Sequence, residues 1–470
     1  MAIFYNEGET KKRPGVYQRH TKVGNLVTAG AQDGICAIPV QAAWGPIGKV
    51  VANKSAADLI KNYGAGEYGT GYTVPAASAM FAGGASTVYT YRMGTGGAKG
   101  SFELTSGLTV TAKYEGAMAL SVSVQEKLGD ATKKLFNVYA GTALVETYTF
   151  AADGKAEGAN LVAATAASQY VTVVGDAATV PAVAVAAGAL KGGENPTVAN
   201  NDYSAAFAAL EAYYYNTIAL DVNDDENMTL SLLLQEYLTN AYTYGKLGIA
   251  VVGEKTSVAF ATRCQHAKAF NDEKVVYLGG GYMTGTESKD GVMAICYTAG
   301  VIASTPANAG IAHTAINGAT ALCESLTYAQ YEEAIDSGML MLAMSTDGVI
   351  WYDSAITTLV VPDDNQDDGW KKIRRVKTRF EIIDRLDRSL APKVGKVSAD
   401  TDGIADVVQT GQRILDMMAN EGKLMAGPVF MEDPNNPFAG DSAWFIIQVD
   451  DIDSLEKIYL QYQFRYSQQS

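Results

Sequence analysis

Residues 248–256 of the chain read Gly-Ile-Ala-Val-Val-Gly-Glu-Lys-Thr, its nearest approach to a loop that cradles phosphate. Such a loop needs lysine directly after its second glycine, so that backbone N–H groups and one cation converge on the anion. Here Glu254 stands between Gly253 and Lys255, and 249–252 is apolar enough to be the strand itself. The expectation is a buried strand ending in a turn. Gly64-Ala65-Gly66-Glu67-Tyr68-Gly69 satisfies GxGxxG literally. It follows a helical stretch, however, whereas the dinucleotide fingerprint lies between a strand and a helix. Two acidic clusters, 221–226 and 363–368, invite a calcium reading. An EF-hand loop wants glycine at its sixth position and glutamate at its twelfth. Those positions hold Glu226 and Leu232 counted from Asp221, and Asp368 and Arg374 counted from Asp363, so helix caps and solvated turns fit both clusters better. No serine sits in a GxSxG elbow. Cys264 and His266 are two apart on a helical stretch and do not face each other. His20 lies in the charged opening, and His313 falls in a charge-free run and reads as a core histidine. Cofactor, metal and catalytic sites are therefore not expected, and an enzyme is not the favoured reading.

The composition agrees. The 470 residues are 48% hydrophobic and 19% charged, with 51 acids against 36 bases and a formal charge of −15. This is a globular balance, and so acidic a chain repels phosphate backbones. Four cysteines without a CxxC pair provide neither a disulfide framework nor a zinc site. The opening MAIFYNEGETKKRP places charges where a signal peptide needs an apolar run, so a cytosolic protein is expected. The longest charge-free run, 291–323, is broken by Pro306, Asn308, His313 and Asn317 and reads as buried core rather than a membrane span.

Charge is unevenly placed. Lys371, Lys372, Arg374, Arg375, Lys377, Arg379, Arg385, Arg388, Lys393 and Lys396 face only Glu381, Asp384 and Asp387, a net +7 within 371–396 in a chain of −15. Segregated charge suits self-assembly or docking on an acidic partner.

The periodicity predicts the elements that would carry these residues. Residues 1–24 show no period beyond Ile3, Phe4 and Tyr5 and read as an extended arm. In 25–98, strands at 34–40 and 86–91 flank a helix at 55–63 with Leu59, Ile60 and Tyr63 inward. From 99 to 195, period-2 runs at 108–112, 120–124, 135–139, 145–150 and 170–174 predict an inserted β-sandwich or small barrel. From 196 to 355, strands at 217–222, 248–253 and 274–279 alternate with helices at 227–242, 258–270 and through 295–303, which predicts a doubly wound parallel α/β sheet. The final part, 356–470, reads as α+β, with helices at 370–390 and 406–420 and strands at 443–449 and 458–466. In the last, Ile458, Leu460, Tyr462, Phe464 and Tyr466 alternate with polar or exposed-type residues. So apolar a strand either pairs in a hairpin with 443–449 or waits for another subunit. Fully extended, residues 1–16 would reach about 50 Å, beyond a body with a radius of gyration of roughly 23 Å.

The order of parts resembles the contractile tail sheath proteins of bacteriophages and phage-tail-like bacteriocins. Arg13-Pro14-Gly15-Val16-Tyr17 resembles that family's Pro-Gly-Val-Tyr opening, and Ala37-Ile38-Pro39-Val40 with Trp44-Gly45-Pro46-Ile47-Gly48 resembles its next conserved segment. Ala299-Gly300-Val301-Ile302-Ala303, then Pro306-Ala307-Asn308, is similar to a stretch of its subtilisin-like domain. Ile356-Thr357-Thr358-Leu359 looks like its Ile-Asn-Thr-Leu, Val394-Gly395-Lys396-Val397 like its Gly-Lys-Val, and Leu455-Glu456-Lys457-Ile458-Tyr459 like its closing strand. The matches run in order over nearly the whole chain, with only the β insertion uncovered. The resemblance implies a subtilisin-like α/β domain without proteolysis and subunits in sixfold rings stacked helically around a tail tube. It also implies terminal arms that add strands to neighbouring subunits, with baseplate and tail terminator proteins as further partners. It implies no nucleic acid, no membrane insertion and no cofactor, in a particle assembled in the host cytoplasm. Ile3, Phe4, Tyr5, Val16, Tyr17, Ile458, Leu460, Tyr462 and Phe464 become the expected arm contacts. Lys371, Lys372, Arg375 and Arg379 become an expected tube- or neighbour-facing basic surface, on the charge count alone. An α/β nucleotide-binding enzyme and a self-assembling surface protein are the alternatives.

Overall fold

The computed structural model describes residues 3–4, 17–18, 30–69, 71–364 and 366–465. Its body is a seven-stranded sheet in the order Met339–Leu340, Val275–Leu278, Ile249–Gly253, Thr217–Ala219, Ile35–Val40, Thr87–Arg92 and Val50–Asn53. Every neighbouring pair is parallel except the last, where Val50–Asn53 runs antiparallel at the edge. Ile249–Gly253 and Val275–Leu278 are buried at every position, which is why they are unbroken apolar runs. Their side chains divide by parity. Val251, Val276 and Leu278 meet the helices Val292–Ser304 and Val74–Ala82 on one face. Ala250, Val252 and Tyr277 meet Asn200–Leu210, Thr229–Thr243 and Phe260–Phe270 on the other. With helices on both faces, the sheet is doubly wound.

The two helices of the first face touch through glycine. A Cβ on Gly300 would stand 2.1 Å from the Met80 carbonyl oxygen, and one on Gly83 would stand 2.1 Å from that of Tyr297. Val74–Ala82 was not legible in the sequence, because Ala, Ser, Met and Phe surround it with no polar stripe to reveal a helical period.

Residues 101–175 form two three-stranded sheets, Ala143–Ala151, Asp130–Ala140, Leu120–Lys127 and Val171–Gly175, Leu108–Ala112, Ser101–Thr105. Val122, Phe136 and Val138 of one sheet share a core with Leu108, Val110 and Val171 of the other, making a sandwich rather than a closed barrel. The antiparallel bridges Thr95↔Thr197 and Ala98↔Glu194 tie its two connections together.

The C-terminal part packs Ile373–Leu390 against Thr401–Asn420 and the antiparallel pair Val429–Glu432 and Phe445–Gln448 around Ile382, Leu386, Ile414, Leu415 and Phe430. Three expectations are corrected here. Strand 445–448 pairs with 429–432, and among the described residues no pairing with 458–465 is present, so the hairpin expected between 443–449 and 458–466 does not form there. Residues 458–465 occupy no strand. Ile60, expected on the inner stripe of its helix, is 57% exposed, while Leu59 and Tyr63 are buried. At the N-terminus, Ile3–Phe4 pairs in parallel with Tyr17–Gln18, so the ends of that stretch lie side by side instead of extending fully. Tyr5, Val16 and Tyr466 lie outside the described residues.

Candidate functional site

The residues that could have done chemistry are bonded into the fold. In doubly wound sheets ligands bind beyond the carboxyl ends of the strands. Here Gln41, Asp221, Glu254 and Gly279 follow those ends, and each is occupied by the chain itself. The Gln41 N–H donates to Thr73 Oγ1 at 2.8 Å. Asp221 is fully buried and accepts from Thr73 Oγ1 at 2.6 Å and the Tyr203 hydroxyl at 2.8 Å. Burial pushes its carboxyl up to about 6 in spite of those bonds. Glu254, which breaks the phosphate-loop spacing, accepts from the Tyr277 hydroxyl and lies 2.8 Å from His266 Nδ1. Arg263, also buried, donates to the Gly279 carbonyl and forks onto Glu324 at 2.6 and 2.7 Å.

The remaining motifs resolve in the same way. Gly64, at φ +81°, ends the helix Ala56–Tyr63 instead of opening one. Asp224 and Asp225 accept backbone N–H groups at the start of Thr229–Thr243, including Ser231 at 2.7 Å and Thr229 at 3.1 Å. Asp367 accepts from the Gly369 N–H at 2.9 Å. Cys264 is buried and its thiol is pushed up by desolvation. His313 is not a core residue as expected: it is exposed and stacks on Trp351, ring centroids 4.3 Å apart and 4° from parallel. Among the described residues no group of His, Cys, Asp and Glu could hold a metal ion.

Among the described residues, 458–465 are left without a partner strand. Ile458, Leu460, Tyr462 and Phe464 are 71, 69, 72 and 81% exposed. Alternating apolar residues that no sheet receives are a strand in need of an edge. An edge is available nearby. Phe445–Gln448 is paired on one side only among the described residues, and Ile447 and the adjoining Trp444 are exposed. Beside it lies a groove of about 300 Å³, lined by Leu390, Val394, Val397, Ile404, Phe438 and Phe445.

The basic segment is largely neutralised from within. Seven of its ten bases pair with carboxylates: Lys372 with Glu456, Arg375 with Asp451 and Asp367, Lys377 with Asp33, Arg379 with Glu273, Arg385 with Glu381 and Glu421, Arg388 with Asp384, and Lys393 with Asp406. Arg379 also lies over the Trp370 ring, 3.9 Å from its centroid. Of the four cations expected on an outward basic surface, Lys371 alone has no ion-pair partner among the described residues. The charge count overstated the field this helix presents to solvent.

Residues 197–358 match the family described as the phage tail sheath protein central domain. Over 242 residues the chain is 29% identical to the uncharacterized protein YqbK of Bacillus subtilis (strain 168), a match spanning 48% of this chain and 49% of that relative. The chain thus spans about half the length of the curated relative it matches. The fold is similar to the sheath tail protein of Listeria innocua, with a TM-score of 0.71 at 18% identity over 90% of this chain and 96% of that one. It is similar also to the sheath tail protein of Desulfitobacterium hafniense, with a TM-score of 0.71 at 19% identity over 93 and 100%. The contracted helical sheath of the anti-feeding prophage gives 0.57 at 11% identity over 97 and 99%. Residues 197–358 thus match the phage tail sheath central domain, and over nine-tenths or more of its length the chain shares the fold of solved sheath tail proteins.

Proposed function

We propose that this chain is the structural subunit of a contractile tail, polymerising as stacked sixfold rings around a tail tube and shortening to drive that tube into a target envelope. The observation that carries the reading is the exposed alternating stretch Ile458, Leu460, Tyr462, Phe464, in a chain whose own strand Phe445–Gln448 offers an open edge. Inserted beside such an edge on a neighbour, the stretch gains backbone hydrogen bonds and buries four large side chains, each contributing about 2 kcal/mol before the cost of ordering the tail. The N-terminal arm, with Ile3, Phe4, Tyr5, Val16 and Tyr17, serves as the second connector, so that every subunit is held by at least two neighbours. Contraction then exchanges one set of body-to-body contacts for a better one while the arms keep the lattice continuous. The stroke is powered by free energy stored at assembly, without a cofactor.

The doubly wound body corresponds in this reading to the family's subtilisin-like domain, used as a scaffold. Of the four cations expected on a tube- or neighbour-facing surface, Lys371 is the one that no carboxylate among the described residues occupies. The partners are further copies of this chain, the tube protein, and the baseplate and terminator proteins that bound the sheath. Assembly takes place in the host cytoplasm. Resemblance to a sheath solved in the contracted state supports the mechanical part of the reading.

Deletion of residues 458–470 tests the proposal. The truncated protein is expected to remain a folded monomer and to give no tubes in negative-stain electron microscopy, under conditions where the full chain gives striated tubes of uniform width. Normal tubes from the truncation would remove the arm exchange.

A further inference from the structure

Arg374, Arg375, Lys377 and Arg388 of helix Ile373–Leu390, with Lys372 at its N-cap, reach residues 30–33 and 451–456, next to the two connector segments. At the C-terminal side, backbone contacts hold the chain as far as Ile452, whose N–H donates to the Lys423 carbonyl at 3.1 Å. Around and beyond it, contacts come from the start of this helix. Arg375 grips Asp451 with two nitrogens, Nε at 2.8 Å and Nη2 at 2.7 Å. Arg374 donates to Ser454 Oγ at 3.1 Å, and Lys372, at the helix N-cap, pairs with Glu456. The exposed alternating stretch begins two residues later.

The root of the N-terminal segment is held further along the same helix. Arg388 Nη2 donates to the Gly30 carbonyl at 2.8 Å, and Lys377 Nζ lies 3.6 Å from Asp33 Oδ1. Lys377 is itself buried and donates to the Ile302 carbonyl at 2.7 Å and to that of Thr305, so it also caps the C-terminal end of the core helix Val292–Ser304. Arg375 and Arg388 are thirteen positions apart, about 20 Å along a helix.

We propose that Ile373–Leu390 is a clamp that fixes the directions in which both connectors leave the subunit, with Lys372, Arg374, Arg375, Lys377 and Arg388 as its positioning residues. The inference rests on the reading of the terminal segments as connectors. One rigid element joins the two roots, so a pull on either connector is delivered to the same helix and, through Lys377, to the end of Val292–Ser304 in the doubly wound body. This accounts for part of the concentration of bases at 371–396 without an acidic partner: Asp33, Asp451 and Glu456 belong to the roots, whereas Arg379, Arg385, Arg388 and Lys393 pair with Glu273, Glu381, Glu421, Asp384 and Asp406 elsewhere.

Hydrogen exchange on the full-length protein, kept dilute and monomeric, tests the clamp. Arg375→Asp is expected to raise exchange at 451–456 by about tenfold or more while the buried strand Ile249–Gly253 stays protected. Combining it with Asp451→Arg is expected to restore protection, which a merely destabilising change would not allow. Arg388→Ala is expected to loosen residues 30–33 and leave 451–456 unchanged. Unchanged exchange at 451–456 in a folded Arg375→Asp protein would overturn the clamp. Tube formation is scored separately: if the wild-type chain forms no tubes, the sheath reading fails whatever the exchange result. If it forms tubes and Arg375→Asp, with its root loosened, forms them at the same rate and width, the helix positions nothing and the inference is wrong.

Discussion

Among the described residues Asp221 has no cation beside it; its partners are the Thr73 and Tyr203 hydroxyls and the Gln41 side chain, in the interior of the sheet's carboxyl end. Desolvation dominates and raises its carboxyl from 3.8 to about 6. Because the folded state holds this proton more tightly than the unfolded chain, the group favours folding fully below about pH 4. That contribution is lost as pH rises through 6, where a charge must be kept buried. The change amounts to roughly 3 kcal/mol for a shift of about two units. Asp221→Asn keeps a group that can bond both hydroxyls and cannot ionise. Its unfolding free energy, measured by denaturant titration between pH 4 and 7, is therefore expected to lack the decline that wild type shows. Parallel profiles for the two proteins would mean that the carboxylate is stabilised in a way these bonds do not provide. Asp221→Ala, by contrast, leaves two buried hydroxyls without an acceptor and is expected to cost about 2–3 kcal/mol at any pH.

Two helices that meet through glycine have no slack. At Gly300 a methyl group would press on the Met80 carbonyl at 2.1 Å, and the obstacle is backbone, which a rotamer change cannot relieve. Gly300→Ala is therefore expected to destabilise the body by about 3 kcal/mol, at the upper end of overpacking costs. The check is the denaturation midpoint of the variant against wild type. The element scale is also where the sequence was most and least informative. The strands Ile249–Gly253 and Val275–Leu278 were legible because burial on both faces writes a continuous apolar run. The helix Thr229–Thr243 was legible because Leu230, Leu234 and Leu238 keep one side. Val74–Ala82 was not, being apolar all round, and strand Val429–Glu432, only four residues long, gave too short a period. The basic helix was half legible. Its charge is local, but several of the acids that neutralise it are remote: Asp451 is 76 positions from Arg375 and Glu273 is 106 from Arg379. Alternation in the tail was read correctly as a pattern. Of the two partners allowed for it, the hairpin with 443–449 is absent among the described residues, where Phe445–Gln448 pairs with Val429–Glu432 instead.

At the scale of the whole molecule, the inserted sandwich behaves as an attachment. Its core of Leu108, Val110, Val122, Phe136 and Val138 is its own. The connections into and out of it run side by side through Ala98 and Glu194. Its main apolar contact with the body is Trp44, 2% exposed, edge-on to Tyr114 at 5.1 Å and stacked on Tyr170 at 5.7 Å. The clamped roots and the open edge at Phe445–Gln448 all belong to the rest of the chain. Replacing residues 99–193 by a short Gly-Ser linker is therefore expected to leave a folded body, destabilised by about 2–3 kcal/mol for the uncovered Trp44 ring. That body is expected still to assemble, giving tubes of unchanged axial repeat in electron micrographs. An unfolded product would show that the insertion completes the body's core. A folded monomer that never polymerises would place an assembly contact on the sandwich, and the division of labour between body and attachment would have to be redrawn.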